Sequence, residues 1–240
     1  MLEGLESEPF RELLVHSSTT PALNTILGAG WRYDSGANLG SEEKTQFHGG
    51  AVERSFGGNY EGYFFRGGRM FSGRVIVEFV LRDEGPNDGG LVLVPGSHKS
   101  NLEAPFTFER GLSHAPGRGE PVVAWDGATG LDELRDKHQN AVVEVNASAG
   151  DVVIFSESTT HAVSPWRGEL PRRTLLYAFV PGFMAIADRE LRLPAWVSEL
   201  TPGQASRFEA PWRSSTSGGG LMARHAASLK KWQAKAASKL

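Results

Sequence analysis

Two histidines and a pair of arginines carry the chemistry legible in this sequence. His161 follows a Gly-Asp turn and an apolar, β-branched run in GDVVIFSESTTHAV, and Arg172 and Arg173 open a second apolar run, Leu175 to Val180. Far upstream, QFHGG places His48 two residues after Gln46, hence on one face of an extended segment. Two glycines follow, where a strand would normally carry side chains. Two imidazoles with a carboxylate and open positions form the arrangement in which non-haem Fe(II) activates oxygen. At this level a structural role is equally open to each histidine. The chain has no cysteine, so disulfides, thiolate metal sites and cysteine nucleophiles are excluded, and any metal must be held by His, carboxylate or carbonyl.

The elements that must position these groups are short. Phe10, Leu13, Leu14, Leu23, Ile26 and Leu27 recur at helical spacing over 7–30, with a Ser/Thr/Pro break at 17–21. From Trp31 onward the texture changes to brief runs punctuated by glycine. Residues 73–82 alternate as a strand, with Val75, Val77, Phe79 and Leu81 on one face and Arg74, Ile76, Glu78 and Val80 on the other. Further strands are expected at 91–94 and 142–145, and the runs 152–155 and 175–180 read as a hairpin with a long loop. Residues 57–70, rich in glycine, aromatics and arginine, suit a loop or lid over a pocket. The stretch 102–140 is irregular, 194–204 resembles a Pro-bounded helix, and the tail from Ser214 ends in a basic helix. Many short strands with Gly/Pro turns predict an all-β core of the sandwich or jelly-roll kind with flanking helices. No internal repeat or linker divides the chain, so one domain is expected over 1–240: N-terminal helices to about 30, a core over 31–182 and a helical extension over 183–240.

The formal charge of -3 favours neither a nucleic-acid polymer nor an anionic membrane. No run approaches the roughly 18 apolar residues of a membrane span, and the acidic start MLEGLESEPF lacks signal-peptide order. A cytoplasmic protein acting on a small molecule is expected; its oligomeric state is not legible.

The passages DGGLVLVPGSHKSN (88–101) and GDVVIFSESTTHAV…RGELPRRTLLYAFVPG together resemble the phytanoyl-CoA dioxygenase-like family of Fe(II)/2-oxoglutarate oxygenases, over roughly residues 12 to 210. The resemblance implies a double-stranded β-helix (a cupin-like jelly roll) that uses Fe(II), 2-oxoglutarate and O2. His48 matches the family's proximal ligand and His161 its distal one. Arg172, eleven residues after His161, matches the arginine that holds the distal carboxylate of 2-oxoglutarate, a task suited to a planar guanidinium.

One position departs from the family. Where its His-x-Asp motif has the carboxylate ligand, this chain has Gly50. Three readings follow. His-x-Gly resembles the halogenase variant of the family, in which chloride of equal charge takes the carboxylate's place and a substrate radical collects chlorine instead of hydroxyl. Alternatively, a carboxylate from elsewhere, Glu53 or Glu78, completes the triad of an ordinary hydroxylase. In the third reading the barrel binds metal weakly and serves as a non-catalytic binding module. The halogenase reading is taken as the leading expectation, with Gly50 as the halide position.

Gln46 is a candidate for binding the co-substrate or a ligand, or is simply a strand-end polar residue. Arg74 and Glu78 read either as a solvated strand face or as groups inside the barrel, with Arg74 meeting an anionic substrate. Tyr63 and Arg66 in the lid are further substrate candidates, and an adenine nucleotide is the first guess among small metabolites. His98, in PGSHKS, is expected to support the pocket mouth rather than bind metal.

Overall fold

In this computed structural model the described residues are 1–4, 6–40, 45, 48–49, 62–100, 142–184 and 195–209. They fall into two compact units: Met1–Ser35 with Phe179–Leu240, and Gly36–Ala178.

In the first unit, Pro9 starts α1 (Glu8–Glu12), which tightens into a 3-10 turn at Leu13–Val15. The chain then turns extended at His16, and α2 (Thr20–Leu27) begins behind Thr19 with Pro21 in its first turn. The expected helices with a break at 17–21 are therefore present. Trp31 is fully buried, edge-on to Phe179 at 4.9 Å, with the Arg207 guanidinium 3.6 Å from its ring centre. The Pro-bounded segment near 194–204 is a 3-10 turn (Ala195–Glu199) followed by a capping box at Thr201 and Gln204.

The strands are β1 (Arg32–Leu39), β2 (Tyr63–Arg66), β3 (Arg69–Ser72), β4 (Val75–Val80), β5 (Gly90–Leu93), β6 (Val143–Glu144), β7 (Val152–Ser156), β8 (His161–Ser164) and β9 (Thr174–Val180). They form a four-stranded sheet in the order β1–β9–β4–β7, a three-stranded sheet β6–β5–β8 and the hairpin β2–β3. This is the expected jelly-roll core. Ile76, Phe155 and Ala178 of the larger sheet pack with Leu91 of the smaller, so that face of β4 is the inner one. Arg74 and Glu78, two residues either side of Ile76, share it by the period of a strand. All six residues of β4 are buried, Glu78 included. The reading of a solvated strand face does not hold.

Three other expectations change. The runs 152–155 and 175–180 are not a hairpin: β4 lies between β7 and β9, and a separate strand, β8, crosses into the smaller sheet. The four residues HAVS are too short and too polar to announce that strand. Residues 63–72 are a hairpin turned by Gly67 and Gly68, both with positive φ, rather than an irregular lid. Segment 102–140, residues 57–61 and the basic tail lie outside the described residues. Among the described residues no helix is long and apolar enough to cross a membrane.

Candidate metal centre

His48 and His161 sit directly opposite each other. Their backbones exchange both hydrogen bonds, His48 N to His161 O and the reverse, each at 2.9 Å. Thr45 extends the contact, its N–H donating to Val163 O at 2.9 Å and its hydroxyl accepting from Val163 N at 2.8 Å. The segment around His48 therefore lies alongside the start of β8, and a directly opposed pair projects its side chains to one face. The two imidazole centroids are 4.1 Å apart.

A carboxylate completes the group. Glu157, on the turn that leaves β7, places Oε1 3.9 Å from Nε2 of His48 and 3.9 Å from Nε2 of His161. One donor atom from each of the three lies within 4.8 Å of the others. Arg74 stands behind, Nη1 3.7 Å from Glu157 Oε2. Glu157 and His161 are buried and His48 is half-buried.

The tautomer of His161 is fixed by chemistry. Its Nδ1 is 2.6 Å from the carbonyl of Thr159, which can only accept, so Nδ1 carries the proton and Nε2 presents a lone pair. Burial, and next the neighbouring His48, push the His161 pKa down to about 3, against the opposing pull of the Thr159 bond. At neutral pH this imidazole is uncharged. Its contact with Glu157 is then not an ion pair but two electron-rich atoms facing each other, which a cation between them would resolve. Donors bound at about 2.1 Å to one ion lie at most about 4.2 Å apart. The two separations of 3.9 Å fall inside that span.

Local backbone builds the turn. Gly49 has φ +77°, and a Cβ there would lie 2.4 Å from Glu157 O, 2.6 Å from Thr159 O and 3.1 Å from His161 Nδ1. Only glycine allows the backbone at His48–Gly49 and the Glu157 turn to approach so closely. From the far side Val94 N donates to Thr160 O at 2.9 Å, and Ser97 Oγ accepts from Thr160 N at 2.7 Å. The PGSHKS turn thus supports the site through Ser97. His98 instead meets the ring of Tyr63 edge-on at 4.9 Å. Phe155 closes one side of His161, edge-on at 4.9 Å.

Arg172 lies elsewhere on the same inner lining, just ahead of β9. It is buried, its Nη2 donating to Glu78 Oε1 and to Glu84 Oε2 at 3.3 Å, while Nε faces Glu84 Oε1 at 2.8 Å. Burial, partly offset by Arg172 and reinforced by Glu78, raises the Glu84 pKa. Glu78 is therefore engaged by Arg172, not by the histidines. The carboxylate beside the histidines is Glu157.

The family described as Phytanoyl-CoA dioxygenase (PhyH) matches residues 47–174, more than half the chain. The chain belongs to this family. It is accordingly an enzyme of the Fe(II)/2-oxoglutarate-dependent oxygenase type. Among solved structures, apo HygX from Streptomyces hygroscopicus is similar, with a TM-score of 0.56 and 20% identity over 75% of this chain and 70% of that one. HygX with nickel and 2-oxoglutarate bound matches with a TM-score of 0.56 and 17% identity over 88% and 78%. At these identities the likeness establishes the shared fold. No curated protein sequence matches the chain significantly.

Within the PhyH fold, two imidazoles and a carboxylate are the donor set that suits iron(II). Arg172 fits a carboxylate-terminated co-substrate in kind, since it already cradles two carboxylates of the chain itself. Of the remaining sequence candidates, Gln46, Gly50 and Glu53 lie outside the described residues. Tyr63 is half-buried and Arg66 is exposed on β2. Glu157 is absent from the sequence reading because a glutamate in a polar turn, four residues before a histidine, carries no strand or helix signal. Its one mark is its place between an apolar strand and His161.

Proposed function

We propose that this PhyH-family enzyme oxidises an unactivated C–H bond of a small metabolite, with iron(II) held by His48, Glu157 and His161 and 2-oxoglutarate anchored at Arg172. The observation that carries this reading is the Glu157 carboxylate, 3.9 Å from both imidazoles. When bound, iron, 2-oxoglutarate and O2 supply the hydrogen-abstracting oxidant, with succinate and carbon dioxide as co-products. The chain's own residues do the rest. Thr159 holds His161 in the tautomer that offers Nε2. Glu157 brings the negative charge, Arg74 balances part of it, and Phe155 keeps water from one side of His161. A carboxylate as third donor supports oxygen insertion as the outcome. HygX has been solved with nickel, 2-oxoglutarate and hygromycin B bound, which fits a small-molecule substrate here; an adenine nucleotide remains the first to try.

A second reading, halogenation, is favoured by the His48-Gly49-Gly50 sequence, which offers no carboxylate two residues after the first histidine. Chloride would then bind iron in place of Glu157. One experiment separates the two. Candidate metabolites are incubated with the iron-loaded enzyme, 2-oxoglutarate, O2 and bromide, and products are read by mass spectrometry. Oxygenated product with no bromine isotope pair supports the Glu157 reading; a brominated product overturns it in favour of the halogenase. Absence of succinate under all conditions would remove both.

A further inference from the structure

Arg172 is already engaged by two carboxylates of its own chain, Glu78 and Glu84. Glu78, Arg172 and Glu84 are 2%, 2% and 3% exposed, so one guanidinium is shared by two buried carboxylates. The cradle is built for the guanidinium. A Cβ at Gly90, whose φ is +92°, would lie 3.0 Å from Arg172 Nε and 3.0 Å from Glu84 Oε2, and one at Gly40 would lie 3.3 Å from Arg172 Nη1. The cluster already carries one excess negative charge with both glutamates ionised, and a third carboxylate would double it in a low-dielectric interior. Other charged groups add to the excess. Asp88, on the β4–β5 connection with Glu84, also disfavours ionisation of Glu84. Glu144 of β6 accepts from Gly89 N at 2.9 Å beside β5.

Glu78 is the member placed to yield. It lies on the inner face of β4, two residues beyond Ile76, and Arg74 lies two residues before Ile76, against the metal-centre carboxylate. At about 3.3 Å per residue the strand spans about 13 Å between Arg74 and Glu78. A dicarboxylate reaching along this face toward Arg172 meets Glu78 already on the guanidinium.

We propose that Glu78 is a resident carboxylate that competes with 2-oxoglutarate for Arg172, so that co-substrate binding displaces Glu78 and draws about one proton into the Glu78–Arg172–Glu84 cluster. The proposal rests on the reading of 2-oxoglutarate as co-substrate at Arg172. Its raised pKa makes Glu84 the natural acceptor of that proton.

The test is calorimetric titration of 2-oxoglutarate into the anaerobic nickel-loaded protein at neutral pH, in two buffers of different ionisation enthalpy. The wild type is expected to take up close to one proton per 2-oxoglutarate bound. Glu78→Gln, which keeps the shape and removes the charge, is expected to bind about tenfold more tightly, with the proton uptake largely gone. Wild-type binding without proton uptake overturns the proposal, and so does equal or weaker binding by a folded Glu78→Gln variant. Should that variant fail to fold, the wild-type proton count decides alone. Equal binding by both proteins leaves the co-substrate reading standing, whereas no binding by either removes that reading and this proposal together.

Discussion

Glu157 and His161, four residues apart across the turn that ends β7, face each other with Oε1 3.9 Å from Nε2. His161 is uncharged at neutral pH and its proton is committed to Thr159, so it gives Glu157 Oε1 no positive partner, and Arg74 meets only the other carboxylate oxygen, Oε2, at 3.7 Å. Replacing the carboxylate tests this directly. Glu157→Gln keeps the size and loses the charge, and is expected to weaken divalent-metal binding by more than the roughly 10–100-fold that loss of an outer partner costs. Metal content after dialysis and competitive chelator titration check it.

Gly49 lies against the Glu157 turn. In Gly49→Ala the new methyl group would sit 2.4 Å from Glu157 O, at a φ of +77° that itself costs about 1–2 kcal/mol for an L-residue. Lower thermal stability and a loss of metal binding are expected together. A variant that melts with wild-type stability and keeps its metal would show that Gly49 and the turn are not so tightly apposed.

Ser97 holds the other side of the same turn. Ser97→Ala removes the acceptor for Thr160 N and leaves that N–H unsatisfied, at a cost of about 1–3 kcal/mol. Unlike Glu157→Gln, it should lower stability in chemical denaturation by that amount while weakening metal affinity only several-fold, since all three donors remain.

The His161 pKa of about 3 sets a pH dependence. An unfolded histidine titrates near about 6.5. Between those values the unfolded chain binds a proton that the folded chain refuses. Stability from this residue is therefore complete above about pH 6.5 and declines as pH falls toward about 3. Glu84 acts in the opposite sense: its raised pKa gives stability present at low pH and lost as pH rises through its folded value. Denaturant unfolding of the metal-free protein at about pH 7.5 and about pH 5 should show the loss on acidification. A His161→Asn variant should show a shallower one.

The barrel was legible because its strands announce themselves. Val75–Val80 is buried throughout, Val152–Ser156 is a half-buried run of the same β-branched and aromatic kind, and their turns are marked by glycine and proline. The two histidines and the buried arginine were reachable through the motif that carries the family resemblance. The carboxylate was not, because its role depends on a turn that folds Glu157 back over His161, and such a fold-back has no periodic signature. β8 was hidden for the same reason: four residues with one histidine and one serine do not read as a strand until Gly90–Leu93 pairs with them. Glu78 was correctly placed on a distinct face of its strand, but which cation it meets is decided by the crossing from β8 to β9, far away in sequence.

Two of the three candidate metal donors leave one five-residue turn, Glu157 to His161, so the separation between them is written into the local chain rather than into the packing of distant strands. A single insertion or deletion within Ser158–Thr160 would swing the carboxylate out of reach while leaving every strand of the barrel intact. The length of that one loop then decides whether carboxylate and imidazole can share one ion.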